Sequence, residues 1–428
     1  AAGPQQTIDE GADTMTTIHV AIDIAGDPVH AGTLYTHQRG QAQSATFTYD
    51  PTYLADPRSY ALDPLLPLGA GQFHTPPGRS LFGTFADSTP DRWGRRLVTR
   101  AQRAASPSGG ASFLSEADYL LGIRDDMRQG ALRLQTEPAG EWKAPKSVSI
   151  PTVTNLPYLL DLATRSLAGD VTVDEIQLLV DSGSGLGGAR PKVHVELGDG
   201  ALAIAKFPSE DTDTWSVGAW EAVALDVAAA AGVPCAAIQL ISVADRAVLL
   251  STRFDRRRGG ERVGYWSAMT AMEASDGDTG SYLEIADFVA ANSPNPSGDL
   301  AILWRRALVD VLLHNTDNHL RNHGFLREAN GWAVSPAFDI NPNPDAGAFA
   351  TELGATGGGD LTVDGLIGTA EFFGLGSGDA RRELALVVAA VDQWRAIAER
   401  RGLRRAEVSA MASAFEHAES ERAHQLID

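Results

Sequence analysis

Residues 313–339, LHNTDNHLRNHGFLREANGWAVSPAFD, constrain the fold of this chain more than any other segment. They offer a carboxylate at Asp317, an amide five residues on at Asn322, and a second carboxylate at Asp339, about one β-hairpin further. Just before them, Leu300, Leu303, Trp304, Leu308, Val311 and Leu312 recur at helical spacing, which predicts an amphipathic helix over 300–313. Within them, 324–326 and 332–334 predict two short strands around the turn Ala329-Asn330-Gly331. Asp317 and Asn322 then sit on a loop leaving a helix, and Asp339 lies just past a hairpin. Phosphoryl transfer from ATP uses that set in that order. One Asp accepts the substrate hydroxyl proton, while an Asn and a second Asp hold Mg²⁺ on the phosphates. Two other readings stay open: a polar surface turn, and a metal site built from His314, His319, His323 and Asp317. Imidazole and carboxylate suit zinc or iron, but no Cys lies nearby and no H-E-x-x-H helix occurs.

Upstream residues favour the first reading. Residues 181–192, DSGSGLGGARPK, form a Gly-rich stretch whose backbone can approach a phosphate closely. It does not match the P-loop pattern, and it matches G-x-G-x-x-G only loosely. Residues 193–197 and 202–207 alternate as strands, joined by Gly198-Asp199-Gly200. Lys206 closes the second strand among apolar neighbours, and a buried ammonium without a partner is costly. Glu221 supplies that partner, on a helix expected from 215 to 231 and closed by Gly232 and Pro234. A strand Lys reaching ATP phosphates and held by a helix Glu is the other half of a phosphotransferase site. The bland reading of Lys206 is a solvent-facing residue at a hairpin tip. The ordered series of Gly loop, Lys206, Glu221, Asp317, Asn322 and Asp339 argues against chance.

These motifs resemble those of the HipA-type serine/threonine kinases, toxins of bacterial toxin–antitoxin pairs. Gly188-Ala189-Arg190-Pro191-Lys192 is similar to the family's Gly-Ala-x-x-Lys nucleotide loop, and 316–322 to its T-D-x-H-x-x-N catalytic loop. Phe338-Asp339-Ile340 stands where that family departs from Asp-Phe-Gly. Residues 252–256 resemble the segment joining the kinase lobes, and 82–95, with Pro90-Asp91 and Trp93-Gly94-Arg95, the N-terminal subdomain signature. The resemblance implies Asp317 as general base, Asn322 and Asp339 as Mg²⁺ ligands, and Lys206 as the phosphate anchor held by Glu221. It places Leu186, Gly187, Gly188, Ala189 and Lys192 over the ATP phosphates. Thr252, Arg253 and Phe254 fall on the adenine side, with His319 and Phe338 lining the nucleotide site. Family members are silenced by autophosphorylation of a loop serine. Here that slot holds Gly185, leaving Ser184 and Ser182 beside it as candidates, with Lys192 or Arg190 placed to capture the phosphate. The implied partners are a protein substrate tied to translation and a small helix-turn-helix antitoxin, with DNA met only through the antitoxin. A small-molecule phosphotransferase, or an ATP-binding pseudokinase docking the antitoxin, remains an alternative.

Length and patterning then set the layout. The 428 residues suit two to three domains. We expect an α+β, bilobal, protein-kinase-like fold with an N-terminal β-containing subdomain and a mainly helical C-terminal lobe. Residues 1–14 read as a disordered leader, with Met15 a candidate start, and 15–150 as N-terminal subdomain plus connecting region. Residues 151–255 read as a β-rich lobe with one helix, and 256–428 as the helical lobe, with long helices over 380–401 and 405–424. A net charge of −20 argues against broad nucleic-acid affinity. The arginines of 253–262 read as solvated, and those of 92–103 as facing a partner or covering a helix. Cys235, the only cysteine, suits a reducing cytoplasm, and no apolar run long enough for a membrane span occurs.

Overall fold

The computed structural model describes residues 14–105, 114–143, 149–183, 190–209, 213–345, 347–354 and 359–427. Its N-terminal part is a five-stranded antiparallel sheet. The strands are β1 (Thr14–Ile24), β2 (Asp27–Arg39), β3 (Ala42–Tyr49), β4 (Phe73–His74) and β5 (Leu132–Gln135), in the order β4-β3-β2-β1-β5. Alternation decides which face is dry: Ile18, Val20 and Ile22 turn inward and pack with Leu34, Phe47, Phe82, Phe85 and Leu132. Ala25 and Gly26 both take positive φ, which suits the tight turn joining β1 to β2. The connecting region expected before 150 is not a simple linker. It contributes β5, the edge strand paired with β1, and the capped helix Glu116–Leu121.

The second sheet carries Lys206. It comprises β6 (Lys192–Glu196), β7 (Leu202–Lys206), β8 (Ile238–Val243) and β9 (Arg246–Thr252), ordered β6-β7-β9-β8 and antiparallel throughout. Its core residues Val193, Val195, Ala203, Ala205, Val248 and Leu250 are joined by Leu159, Leu162, Leu179, Trp93 and Leu97. Three helices lie in the stretch read as having one: Leu156–Ala168, Val173–Gly183 and Val217–Ala230. The first opens with Pro157 in its first turn and closes at Gly169 in the left-handed region. The second runs three residues into the stretch expected to be Gly-rich loop.

Helix Val217–Ala230 is buried on nearly every side, and its many alanines allow close packing against the C-terminal helices. It thereby fixes Glu221 relative to both lobes. The C-terminal core gathers helices Tyr282–Asn292, Pro296–Leu312, Ser377–Val391 and Trp394–Arg400 around Trp304, Leu308, Leu384 and Trp394. The helices expected over 380–401 and 405–424 are each broken, the first after Val391 and the second into Arg405–Ala410 and Ala418–Ile427. A short sheet joins β10 (Tyr265–Ser267) to β12 (Gly324–Glu328) and β13 (Gly331–Val334), the two strands that follow the loop carrying Asp317, with β11 (Gly280–Ser281) and β14 (Thr351–Glu352) pairing separately. Among the described residues no helix is long and apolar enough to cross a membrane.

Candidate active site

Lys206 ends β7, directly opposite Lys192 on β6. Its ammonium lies 2.6 Å from Glu221 Oε1 and 2.8 Å from Asp339 Oδ1. Burial works against the charge on Lys206, but Asp339 and Glu221 outweigh it and hold its pKa above the ordinary value. Glu221, only 3% exposed, is pushed up by burial, with Lys206 opposing the shift. The strand lysine and helix glutamate expected to pair do so, across a separation of fifteen residues.

Asp339 is brought to them by backbone pinning. Ala337 donates to Pro234 O at 2.7 Å and accepts from Ala236 N at 2.9 Å, a bridge between the two lobes. Asp339 itself takes φ +57°, a conformation that side-chain-bearing residues seldom adopt. Asn341 Nδ2 donates to its carbonyl at 3.2 Å and its carboxylate at 3.3 Å. Burial raises the Asp339 carboxyl, but Lys206 and then Lys192 overcome this, so it stays well below the usual carboxylate range. Asn341 escaped sequence reasoning, although its place two residues after Asp339 was the available signal.

The loop that carries Asp317 leaves helix Pro296–Leu312 through His314, which turns the chain at φ +49°. Buried amides then fasten it. Asn315 Nδ2 donates to Asp310 Oδ1 at 2.7 Å, and Asn315 Oδ1 accepts from Asn341 N at 3.1 Å, tying the loop to the Asp339 segment. Asn318 bonds Thr351 through both ends of its amide, at 3.2 and 3.0 Å. Asn322 Nδ2 donates to Asp317 O at 2.8 Å, leaving its amide oxygen as the acceptor end. The side chain of Asp317 is meanwhile 70% exposed, on a loop held from below. Desolvation raises its carboxyl pKa, opposed by His319, whose Nε2 lies 3.8 Å away. Open solvent screens most of that interaction. Asp339 and Arg190 are also close enough for their charges to act on Asp317.

An amide oxygen at Asn322 and a carboxylate at Asp339, kept ionised beside Lys206, are the hard donors that suit Mg²⁺ next to phosphate oxygens. The histidines do not converge. His314 Nδ1 meets Asn343 O at 2.9 Å, and buried His323 meets Asn318 O at 3.2 Å. Among the described residues no group of three or more His, Cys, Asp or Glu is placed to hold a metal. Phe254 and Phe338, both half-buried, bring their rings to 5.5 Å.

Other expectations fare differently. Ser184, Leu186, Gly187, Gly188 and Ala189 lie outside the described residues. Ser182 is not on a loop: it is buried in helix Val173–Gly183 and its hydroxyl donates to Leu178 O at 2.7 Å. Lys192 and Arg190 already hold carboxylates, Asp91 at 3.1 Å and Asp213 at 3.0 Å. Thr252 ends β9, half-buried, its N–H on Ala237 O. Arg253 is not presented to an adenine. Its guanidinium is taken up by Asp255, His194 Nε2 and the carbonyls of Met127 and Arg128. Arg262 is likewise buried on Asp125 at 2.8 Å, so these arginines staple the N-terminal part to the lobe junction instead of being solvated. Removing one partner of a buried pair strands the other charge. Arg253→Ala should therefore cost about 3–5 kcal/mol in urea unfolding, with nucleotide affinity in the folded fraction unchanged within about twofold. The arginines from 92 to 103 lie on helix Arg92–Ala105, where Arg95 clasps Glu116 at 2.6 Å.

The HipA-like C-terminal domain matches residues 184–421, and the HipA N-terminal domain matches residues 22–116. "Putative kinase Y4mE" of Sinorhizobium fredii (strain NBRC 101917 / NGR234) is 27% identical over 327 residues, covering 69% of this chain and 71% of that protein. The fold matches HipA of Shewanella oneidensis MR-1, solved in a complex with HipB and operator DNA. The TM-score is 0.66 at 16% identity, over 96% of this chain and 99% of that one. The Helicobacter pylori proinflammatory kinase CtkA aligns with a TM-score of 0.45 at 15% identity, over 57% of this chain and 94% of its own.

Proposed function

Because this chain belongs to the HipA-like family, we propose that it is an ATP- and Mg²⁺-dependent protein serine/threonine kinase, the toxin of a toxin–antitoxin pair. The observation that carries this reading is Lys206 held between Glu221 and Asp339 at 2.6 and 2.8 Å, with the exposed Asp317 loop tied to the same segment. When bound, Mg·ATP supplies the phosphoryl group and a cation that offsets charge on its oxygens. Lys206 anchors phosphate oxygens, and Glu221 keeps its ammonium charged and aimed. Asn322 and Asp339 would hold the cation. Asp317, reachable from solvent, accepts the proton of the attacking hydroxyl. Phe254 and Phe338 exclude water from one wall of the cleft.

A small helix-turn-helix antitoxin is the partner proposed, with DNA reached through it. The relative solved with HipB and operator DNA supports that partner class. The substrate class is a translation-related protein, such as an aminoacyl-tRNA synthetase, phosphorylated on Ser or Thr, in a cytoplasmic setting. The test is transfer from γ-labelled ATP into a whole-cell extract separated into protein and metabolite fractions. Label on Ser or Thr of protein, absent with Asp317→Asn, is expected. Label confined to metabolites would replace the reading by a small-molecule phosphotransferase. Nucleotide binding without a single turnover would make the chain a pseudokinase.

A further inference from the structure

We propose that residues 91–94 are a positioning device for the nucleotide site, gripping both stems of the glycine-rich loop at once. The inference rests on the kinase reading for its functional consequence, and on contacts alone for its geometry. One stem is Gly183, the last residue of helix Val173–Gly183; the other is Lys192, the first of β6. A Cβ on Gly183 would lie 2.5 Å from Lys192 O and 2.6 Å from Trp93 Cζ3. Only a hydrogen fits there, so the two stems and the indole edge touch directly. Asp91 secures the other stem: its Oδ2 lies 3.1 Å from Lys192 Nζ, with side-chain exposures of 4% and 6%. Both side chains are buried, so screening by solvent does not weaken this pair as it would at the surface.

Asp91 is itself held still. Gly94 N donates to its Oδ1 at 2.6 Å and Arg95 N to its carbonyl at 2.8 Å, so one carboxylate oxygen anchors helix Arg92–Ala105 while the other faces Lys192. The register gives the contact its importance. Lys192 and Lys206 oppose one another on neighbouring strands, and like charges so placed repel. Asp91 offsets the first lysine as Glu221 and Asp339 offset the second. The charge of Lys192 also reaches Asp339. The N-terminal region thus sets the base of the loop and the field at the cleft from a hundred residues away in sequence. Asp91 and Trp93 fall in the segment matched as HipA N-terminal domain, and Lys192 in the C-terminal one.

Asp91→Asn keeps the shape and the bond from Gly94 but removes the charge. A stem that must be ordered by the nucleotide costs about tenfold in affinity for each residue left free. The variant should therefore bind Mg·ATP about tenfold more weakly by calorimetry, with kcat at saturating nucleotide held within about threefold. In the nucleotide-free protein, amide exchange should rise over 190–196 and stay unchanged over 300–312. A folded variant with Kd within about threefold of wild type, or with unchanged exchange over 190–196, would overturn the proposal. If Asp91→Asn does not fold, Trp93→Phe, which withdraws the ring edge facing Gly183, is read in the same way. If the wild-type chain binds no Mg·ATP, the kinase reading fails, and exchange in the free protein alone decides the clamp.

Discussion

Asp317→Asn is expected to lower phosphoryl transfer by about 10²–10⁴-fold, the usual worth of a positioned general base, while Mg·ATP affinity changes little. The substitution is nearly isosteric, and the Asp317 group that supports the loop is its backbone carbonyl, which accepts from Asn322 and survives the change. Asn315, Asn318 and His323 hold the rest of the loop without using the Asp317 side chain. The pH profile supplies a second signature. Desolvation raises the Asp317 carboxyl, so the proton-accepting form is gained at higher pH than for an ordinary aspartate. In wild type the acid limb of kcat/KM should lie above that of an ordinary aspartate, and residual activity of the Asn variant should lack that limb. Wild-type turnover in Asp317→Asn would remove Asp317 from its role.

The parts of the site legible in sequence were those under local compulsion. Lys206 sits in an alternating apolar strand, so it needed a partner, and Glu221 was the first acid on the next helix. Asp317 and Asn322 were recognisable because a helix of strong periodicity ends just before them and a hairpin follows. Strands β6, β7, β12 and β13 could be placed for the same reason, since period two survives wherever one face is dry. Helix Leu156–Ala168 had punctuation at both ends, Pro157 and Gly169, yet a lobe expected to be β-rich concealed it.

What could not be read was long-range. Asp125 with Arg262, Asp255 with the carbonyl-bound Arg253, and Asp91 with Lys192 are buried pairs, two of them bridging segments at least a hundred residues apart. Nothing in the local pattern of RFDRRRGGER separates a buried Arg253 from the exposed Arg257 and Arg258. Ser182 was misplaced because Gly183 and the following residues read as loop. The helix instead persists to the point where Trp93 and Lys192 require a glycine.

Asp339→Ala is expected to weaken Mg·ATP binding by about 100-fold or more, because even outer partners of a metal ligand are worth 10–100-fold. The truncation removes the anionic half of the donor pair proposed at Asn322 and Asp339. It also removes one of two acids that keep Lys206 charged and placed. The fold should survive, since Glu221 remains on Lys206 at 2.6 Å and the bridge from Ala337 to Pro234 and Ala236 is backbone only. His314→Ala and His323→Ala are the controls. Each ring is spent on a backbone carbonyl, Asn343 O or Asn318 O, so their loss should change stability and leave the Mg²⁺ requirement intact. Titrating Mg²⁺ at fixed ATP separates the cases. A shifted Mg²⁺ midpoint in Asp339→Ala with an unshifted one in both His variants supports the assignment. Activity restored by zinc after chelation, and abolished in the folded His variants, would move the metal from Asp339 to the imidazoles and replace this account.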